Sequence, residues 1–269
     1  MLELAEVLDI PSFFKTKSRF RVSDIEALGL LCARFRSAGD QFHLSLMYGR
    51  SQSAISEIVN WIVALLDNRW KHLLDWDSEC LLSHENLPIY AQVVKDQGAP
   101  IDTVFGWPDC TKFFICRPSQ YQQVAYNGHD RAHCLKFQAI VIPNGIIAHL
   151  YGPVEGRRHD MQLWDVSSIA EKLAEHAVVP NPHIPGRSES FQIYGDATYG
   201  LSPHILSPFC GSGVRTADEL AWNNLMGKDR VSVENVFAVI LNFWPFLQAY
   251  WKMKVFGSPV GRYYRVGVL

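Results

Sequence analysis

The first quarter of the chain places apolar residues at helical spacing. Ser23 and Glu26 form a capping box at the start of a first predicted helix, which ends near Gly39. Asp40 is predicted to cap a short second helix, and residues 48–50 to form a tight turn. A third helix follows, with apolar residues three and four positions apart: Ile55, Ile58, Val59, Ile62 and Leu66.

Residues 23–75 are therefore predicted to form an all-α, helix-turn-helix-like module after an N-terminal loop at residues 1–22. In such modules the last helix enters a DNA groove. The candidate contacts are polar positions on or just before the third helix: Arg50, Gln52, Ser53, Ser56 and Asn60. Small helical bundles that contact no DNA show the same periodicity, so this region alone leaves both interpretations open.

The hydrophobic period changes near Ile101, after a polar, proline-punctuated segment at residues 76–100 that we interpret as a linker. Strands are predicted at 103–105, 113–115, 137–142 and 146–150. Between the last two lies Pro143-Asn144-Gly145. This segment predicts a hairpin, because Asn-Gly tolerates the positive φ angles that such turns require.

Helix and strand alternate in the rest of the chain. Residues 160–177 carry one apolar stripe and predict an amphipathic helix, residues 191–194 predict a strand that ends before Asp196, and residues 231–240 predict a closing helix. This order indicates a mixed α/β sheet of the ribonuclease H type over residues 101–269. The apolar residues at the very end suggest a domain that is cut short at its C-terminus.

Composition limits the function classes. The chain has 269 residues, of which 48% are hydrophobic and 19% charged, enough for a sizeable core. A net charge of −2 argues against tight, nonspecific nucleic-acid binding, so any DNA contact needs local basic patches. No stretch approaches the roughly 18 to 20 apolar residues of a membrane span, and the acidic start is unlike a signal peptide, so we expect an intracellular protein. The six cysteines form no CxxC pair, which disfavours a disulfide framework or structural zinc.

Three carboxylates, Asp109, Asp196 and Glu234, each follow or lie within an apolar run that would hold them rigidly. Oxygen ligands suit Mg²⁺ or Mn²⁺, and two such ions roughly 3.5 to 4 Å apart stabilise both the attacking and the leaving oxygen of a displacement at phosphorus. Taken singly, each acid is better explained structurally: Asp109 as a turn residue, Asp196 as a loop cap and Glu234 as a surface partner of Arg230. The three together predict a divalent-metal site for phosphodiester cleavage.

Two further groups precede the helix predicted at residues 160–177. Asp160 is interpreted as the N-cap of that helix and His159 as a packing or hydrogen-bonding residue, and both are candidate accessory site residues. Arg157 and Arg158 are candidate DNA-phosphate contacts, although adjacent arginines on a loop are often only solvated.

From about Phe20 to the C-terminus the chain resembles the Harbinger (PIF/Harbinger) transposase-derived nucleases, which are DDE superfamily endonucleases. The resemblance is carried by Cys116-Arg117-Pro118, Tyr126-Asn127-Gly128-His129, Lys136-Phe137-Gln138, Pro143-Asn144-Gly145, Gly152-Pro153, Gly156-Arg157-Arg158-His159-Asp160, Gly195-Asp196 with Tyr199, and Arg230 with Val233-Glu234.

The resemblance implies a ribonuclease H-like nuclease domain that acts on DNA in the nucleus. It implies that Asp109, Asp196 and Glu234 form an Asp/Asp/Glu triad that binds a divalent metal. It also suggests that a separate DNA-binding partner protein is needed, while a homo-oligomer is left open. The expected function is therefore a metal-dependent, transposase-derived endonuclease.

The chain departs from the family pattern beside Asp109, where Pro108 replaces a β-branched residue and Cys110 replaces glycine. We expect both changes to disturb a central strand, and Asn235 and Ala238 to alter the packing behind Glu234. The alternative function is therefore a catalytically inactive, domesticated DNA- or protein-binding nuclear protein. A third hypothesis, a ribonuclease acting on RNA–DNA hybrids, shares the fold and differs in substrate.

Overall fold

The structure is a computed structural model that describes residues 1–181, 184, 186–211 and 213–269, without the side chains of residues 229–234. Its α-helices are α1 (Leu2–Val7), α2 (Asp24–Arg36), α3 (Gln41–Tyr48), α4 (Gln52–Trp70), α5 (Asn86–Asp96), α6 (Gln122–Ala125), α7 (Asp160–Val166), α8 (Ile169–His176), α9 (Ala217–Phe243) and α10 (Val260–Val268). Its strands are β1 (Phe13–Lys15), β2 (Arg21–Ser23), β3 (Val104–Phe114), β4 (Tyr126–Asn127), β5 (Ala132–Val141), β6 (Ile147–Glu155), β7 (Val178–Pro180), β8 (Ser188–Ser190), β9 (Gln192–Tyr194) and β10 (Ile205–Leu206).

The chain divides into two compact units, neither of which is continuous in sequence. The helical unit comprises Met1–His72, Phe113–Leu135 and Val239–Leu269, and the sheet unit comprises Leu73–Lys112 and Lys136–Ala238. This division differs from the contiguous domains predicted at residues 23–75 and 101–269. The difference arises because the C-terminal segment is part of the same unit as the N-terminal helices.

Helices α2 and α3 begin at the capping residues that the sequence predicts. Ser23 accepts a hydrogen bond from the backbone N–H of Glu26 at 3.2 Å, and Asp40 accepts one from Phe42 at 2.8 Å. In a full capping box the Glu26 carboxylate would also accept from the Ser23 N–H. Among the described residues it accepts two hydrogen bonds from Arg50 instead. Identification of α2, α3 and α4 as a DNA-binding helix-turn-helix stays a prediction.

The C-terminal helix α10 is attached to α4 by a buried carboxylate. Asp67 is 1% exposed, and Arg265 donates to both of its oxygens at 2.6 and 2.8 Å. The Arg262 Nε atom lies 3.2 Å from the same carboxylate. Nearby, the hydroxyl of Tyr263 donates to Asn60. Asn60, a predicted DNA contact, therefore faces the C-terminal segment of its own chain.

The centre of the sheet unit is a mixed sheet. Within this unit the strand order is β10-β9-β3-β5, and β6 pairs with β5. The short strand β4 pairs with the first residues of β5, which belong to the helical unit. Strand β9 is parallel to both β3 and β10, whereas the short hairpin between β5 and β6 makes these two antiparallel. The core of the sheet unit includes Phe105, Ile140, Leu173 and Phe191, each at most 3% exposed. The predicted mixed α/β class is therefore confirmed.

The turn between β5 and β6 has the predicted hairpin geometry. Gly145 has a φ of 81°, the left-handed region in which glycine carries no steric penalty. The Ile142 N–H donates to Ile146 O at 3.1 Å, and the Asn144 side chain accepts from the Ile146 N–H at 3.0 Å. Both flanking strands are longer than predicted.

Strand β3 corrects one expectation. The sequence predicts two short strands in this region, whereas β3 runs without interruption through Pro108. A β-bulge between Val104 and Gly106 precedes the proline, and the pairing of β3 with β9 ends at Gly106 and Ile193. A residue without an N–H is tolerated at or beyond such an irregularity. Strand β3 thus continues past Pro108, whereas its ladder with β9 is irregular and ends just before that residue.

The helix predicted at residues 160–177 is broken into α7 and α8. Ser168, between them, has a φ of 53°, and the hydroxyl of Ser167 donates to the Trp164 carbonyl at 2.9 Å. Serine side chains that bond the preceding turn compete with helix continuation. The apolar stripe therefore spans two helices that meet at a serine pair.

The segments predicted as loop and linker contain regular structure. Residues 76–100 include α5, which buries Leu87, Ala91 and Val94. Pro88 hides this helix in the sequence, although proline is acceptable in a first helical turn. The predicted loop at residues 1–22 contains α1 and the antiparallel strands β1 and β2. Among the described residues, no helix combines the length and apolar character needed to cross a membrane.

Candidate active site

Asp109 and Asp196 are carried by neighbouring strands of the sheet unit. Asp109 lies within β3, and Asp196 comes two residues after β9 ends at Tyr194. The strands run parallel with Gly106 paired to Ile193. Asp109 comes three residues after Gly106, and Asp196 comes three residues after Ile193. Both aspartates are half-buried. The topology agrees with the prediction that these acids come from adjacent strands, while their role stays a prediction.

Asp196 is fixed by the turn that follows it. Its carboxylate accepts hydrogen bonds from the Thr198 N–H at 3.0 Å and from the Thr198 hydroxyl at 3.3 Å. It thereby caps a short 3-10 helix at Ala197–Tyr199. A carboxylate offers about four lone-pair positions, so the capping role leaves acceptor capacity for a cation.

Tyr199 connects this turn to two strands. Its hydroxyl lies 3.3 Å from the Cys110 Sγ on β3 and accepts from Gln138 on β5 at 3.4 Å. Its ring approaches Gly195 so closely that a Cβ there would lie 2.7 Å from the Tyr199 Cδ2 atom. Burial, followed by Cys110, raises the pKa of Tyr199 well above its usual value, so the hydroxyl stays protonated. Glycine is thus required at position 195 because the Tyr199 ring leaves no room for a Cβ.

Lys136 is a site residue that the sequence reasoning missed. The side chain is 7% exposed, and its Nζ atom lies 2.8 Å from Asp160 Oδ1 and donates to the Arg158 carbonyl at 2.8 Å. Asp160 is the first residue of α7, and His159 is its N-cap, whose N–H donates to Gln162 at 3.2 Å. The predicted capping role of Asp160 is therefore wrong: its carboxylate is paired with a buried lysine.

Cys110 lies among these charged groups. Burial raises the pKa of the Cys110 thiol, the Asp160 and Asp109 carboxylates raise it further, and Tyr199 and Lys136 act in the opposite direction. A thiol with a raised pKa is a poor nucleophile. Cys110 therefore acts as a neutral packing residue beside Asp109.

The third predicted acid, Glu234, lies on α9, but its side chain is outside the described residues. Within the described part of the chain, no three potential metal-ligating side chains of His, Cys, Asp or Glu gather at one point. Magnesium is usually held by one or two carboxylates, with water and substrate phosphates completing the shell. The hard oxygen donors of Asp109 and Asp196 fit such a cation.

The predicted DNA-contacting residues have different surroundings. Arg50 donates to the Glu26 carboxylate at 2.7 and 2.9 Å, and Arg158 is paired with Glu155. Four other candidate positions are not equally accessible: Gln52, Ser53 and Arg157 are exposed, whereas Ser56 is half-buried. The structure therefore leaves Arg157 as the exposed arginine of its pair, and it connects Arg158 to Lys136 through a backbone carbonyl.

One sequence signal could have identified Lys136. Strand β5 alternates Lys136 and Gln138 with the buried residues Phe137 and Ala139, and both polar side chains are themselves buried. A lysine and a glutamine inside a central strand need internal partners. Asp160 and Tyr199 are those partners, and both lie far from β5 in sequence.

The description "DDE superfamily endonuclease" belongs to a family model that matches residues 108–260, a stretch that includes Asp109, Asp160, Asp196 and Glu234. No curated protein and no solved structure gives a significant match. The match supports membership in the superfamily but does not confirm the more specific Harbinger assignment. Because it covers more than half of the chain, and because the matched region contains the mixed sheet with its two aspartates, this protein belongs to the DDE superfamily endonuclease family.

Proposed function

We propose that this protein is a transposase-derived nuclease with a ribonuclease H-like catalytic region that cleaves DNA phosphodiester bonds. The observation that supports the proposal is the position of Asp109 and Asp196 on parallel neighbouring strands within the region that matches the endonuclease family. Its cofactor would be Mg²⁺ or Mn²⁺. Its place of action would be the nucleus, where chromosomal DNA lies.

The ligands would be the carboxylates of Asp109 and Asp196, with Glu234 of α9 as the third. Bound divalent ions supply charge stabilisation for the attacking and leaving oxygens and lower the pKa of water. The chain contributes rigidity. Thr198 holds both oxygens of Asp196, and Tyr199 ties the same turn to Cys110 and Gln138.

A nicking assay tests this function. Supercoiled plasmid is incubated with the full chain and Mg²⁺ or Mn²⁺, and the appearance of open circles is followed over time. We expect Asp109→Asn and Asp196→Asn each to lower the nicking rate by roughly 100-fold or more. Mutation of a residue that only supports a metal ligand already lowers metal affinity or activity by about 10- to 100-fold, and a ligand should matter more. Asp165→Asn is the matched control, since Asp165 is an exposed carboxylate on α7, and it should nick like the unmodified protein.

Each variant is also checked for its unfolding midpoint. Equal nicking by the unmodified protein and Asp196→Asn would show that the assigned acids are not the site. DNA retention without cleavage in either metal would support the inactive, DNA- or protein-binding alternative. The same assay with single strands and RNA–DNA hybrids distinguishes a DNA nuclease from a ribonuclease.

DNA contacts outside the acids are proposed at Gln52, Ser53, Ser56 and Arg157, with Arg50 and Arg158 already occupied by carboxylates. A separate DNA-binding partner would supply the sequence recognition that a chain of net charge −2 does not obtain from general charge. Adding nuclear extract depleted of DNA to the nicking assay would reveal such a requirement.

A further inference from the structure

The helical unit contains a cavity of about 320 Å³. Small-molecule sites commonly measure about 300 to 1,000 Å³. Its wall comes from α2, from the starts of α3 and α4, and from the segment between α9 and α10. The lining residues on which the inference depends are Arg34, Gln52, Asn60, Trp251, Lys252 and Lys254. None of the acids of the proposed nuclease site lines it.

Arg34 gives this cavity a buried positive charge. The residue is 5% exposed, and its Nη1 atom donates to the carbonyl oxygens of Gly39 at 2.9 Å and Ser37 at 3.4 Å. The guanidinium carbon lies 4.0 Å from the ring centroid of Phe246. Carbonyl groups and an aromatic ring orient the guanidinium but do not neutralise its charge.

Two lysines add to this charge. Lys252 donates to the Gly39 carbonyl, and Lys254 is exposed at the rim. Asp40 is the one acid among the lining residues, and its carboxylate already accepts the Phe42 N–H. Burial and the charge of Arg34 lower the pKa of Lys252, with Asp40 opposing them. Like charges held together in a partly desolvated wall favour a bound anion.

The rest of the wall offers the groups that bind a base. Trp251 is 54% exposed, so its ring is available for stacking. Gln52 and Asn60 add side-chain amides to the wall. The Asn60 oxygen already accepts from Tyr263, so its amide nitrogen is the group offered to a ligand. Cations for a phosphate, amides for base edges and an aromatic surface are the combination that binds one nucleotide of a single strand.

We infer that this cavity binds a 5′-phosphorylated nucleotide, either free or at the end of a DNA strand. Arg34, Lys252 and Lys254 hold the phosphate, and the base lies against Trp251 within reach of Gln52 or Asn60. The site goes beyond the proposed nuclease function and needs no metal ion. It also gives a role to the polar face of α4, which the sequence suggested for groove contacts.

The test is calorimetric titration of the full chain in EDTA with deoxyadenosine 5′-monophosphate, deoxyadenosine and inorganic phosphate. We expect the nucleotide to bind more tightly than either fragment. Lys252→Gln and Lys254→Gln should each weaken it roughly tenfold, the usual effect of losing a charge-assisted hydrogen bond. Lys71→Gln, an exposed lysine of the same unit, is the matched control and should bind normally. Trp251→Leu should weaken binding of the nucleotide but leave binding of inorganic phosphate unchanged.

A second arm uses fluorescent single-stranded DNA with either a 5′-phosphate or a 5′-hydroxyl. Preference for the phosphorylated strand over the free nucleotide identifies a strand end as the ligand, and equal binding identifies the free nucleotide. The inference is overturned if no probe binds, if inorganic phosphate binds as tightly as the nucleotide, or if Lys71→Gln loses as much affinity as Lys254→Gln. Because EDTA is present, Asp196→Asn should bind normally even if the nuclease proposal fails.

Discussion

At the scale of single residues, a buried histidine predicts how the stability of the sheet unit depends on pH. His149 on β6 is 2% exposed, and its Nε2 atom lies 3.7 Å from Asp75 Oδ1. Its Nδ1 atom is buried without a hydrogen-bond partner in the described part of the chain. Lys172 also contacts Asp75. The imidazole is therefore enclosed beside a lysine.

Burial first, and Lys172 second, lower the pKa of His149 from 6.5 to about 4, with Asp75 opposing them. The unfolded chain therefore takes up a proton near pH 6.5 that the folded chain refuses until about pH 4. The neutral ring contributes its full stability above pH 6.5, and that contribution falls as the pH is lowered toward 4, by up to about 1.4 kcal/mol per pH unit. Unfolding midpoints measured between pH 7.5 and 4.5 should show this loss.

The matched variants are His149→Gln, which removes the titrating group, and His84→Gln, which changes an exposed histidine of the same unit. His149→Gln should flatten the decline in this pH range, and His84→Gln should keep it. An unchanged decline in His149→Gln would show that other groups cause it.

At the scale of elements, close packing between strands fixes some positions more strongly than their sequence pattern indicates. Gly106 of β3 has an ordinary negative φ, yet a Cβ built there would lie 2.7 Å from the Val141 carbonyl oxygen on β5. A Cβ built at Gly227 of α9 would instead lie in open space. The two glycines therefore predict opposite effects of one added methyl group.

We expect Gly106→Ala to destabilise the sheet unit by about 1 to 3 kcal/mol, because backbone atoms must move to relieve the overlap. Gly227→Ala should be neutral or stabilising by up to about 1 kcal/mol, since alanine is the better helix former. Urea unfolding followed by circular dichroism measures both. Equal effects of the two substitutions would contradict the close approach of β3 to β5.

At the scale of the whole molecule, the helical unit depends on residues from both ends of the chain. Asp67 on α4 is bonded to Arg265 and lies close to Arg262, both on α10. Trp244 adds a second connection in the same region, because its indole N–H donates to the Gly267 carbonyl at 3.0 Å. The N-terminal helices therefore complete their packing with a segment that lies about 200 residues later.

Asp67→Asn should lower the stability of the helical unit by about 2 to 3 kcal/mol, somewhat below the cost of breaking a fully buried pair, because the arginines reach solvent. Asp9→Asn is the comparison, since Asp9 pairs with Arg69 while 77% exposed, and it should cost less than about 1 kcal/mol. Thermal unfolding measures both. Similar losses would show that burial of Asp67 is unimportant.

The sequence by itself determined several local features of this protein. Ser23 and Asp40 start helices, and Asn144 with Gly145 forms a hairpin, because each acts on backbone groups only a few residues away. The family motifs likewise identified the matched region around Asp109 and Asp196. These features need no knowledge of distant residues.

Only the tertiary structure decided which distant groups meet. It paired Asp160 with Lys136, brought Tyr199 to Cys110, and placed Asn60 against the C-terminal segment. It also carried β3 through Pro108. The physical reason is that a buried charge, a polar group or a missing N–H is compensated by whatever lies beside it in space, and a one-dimensional pattern does not record those neighbours.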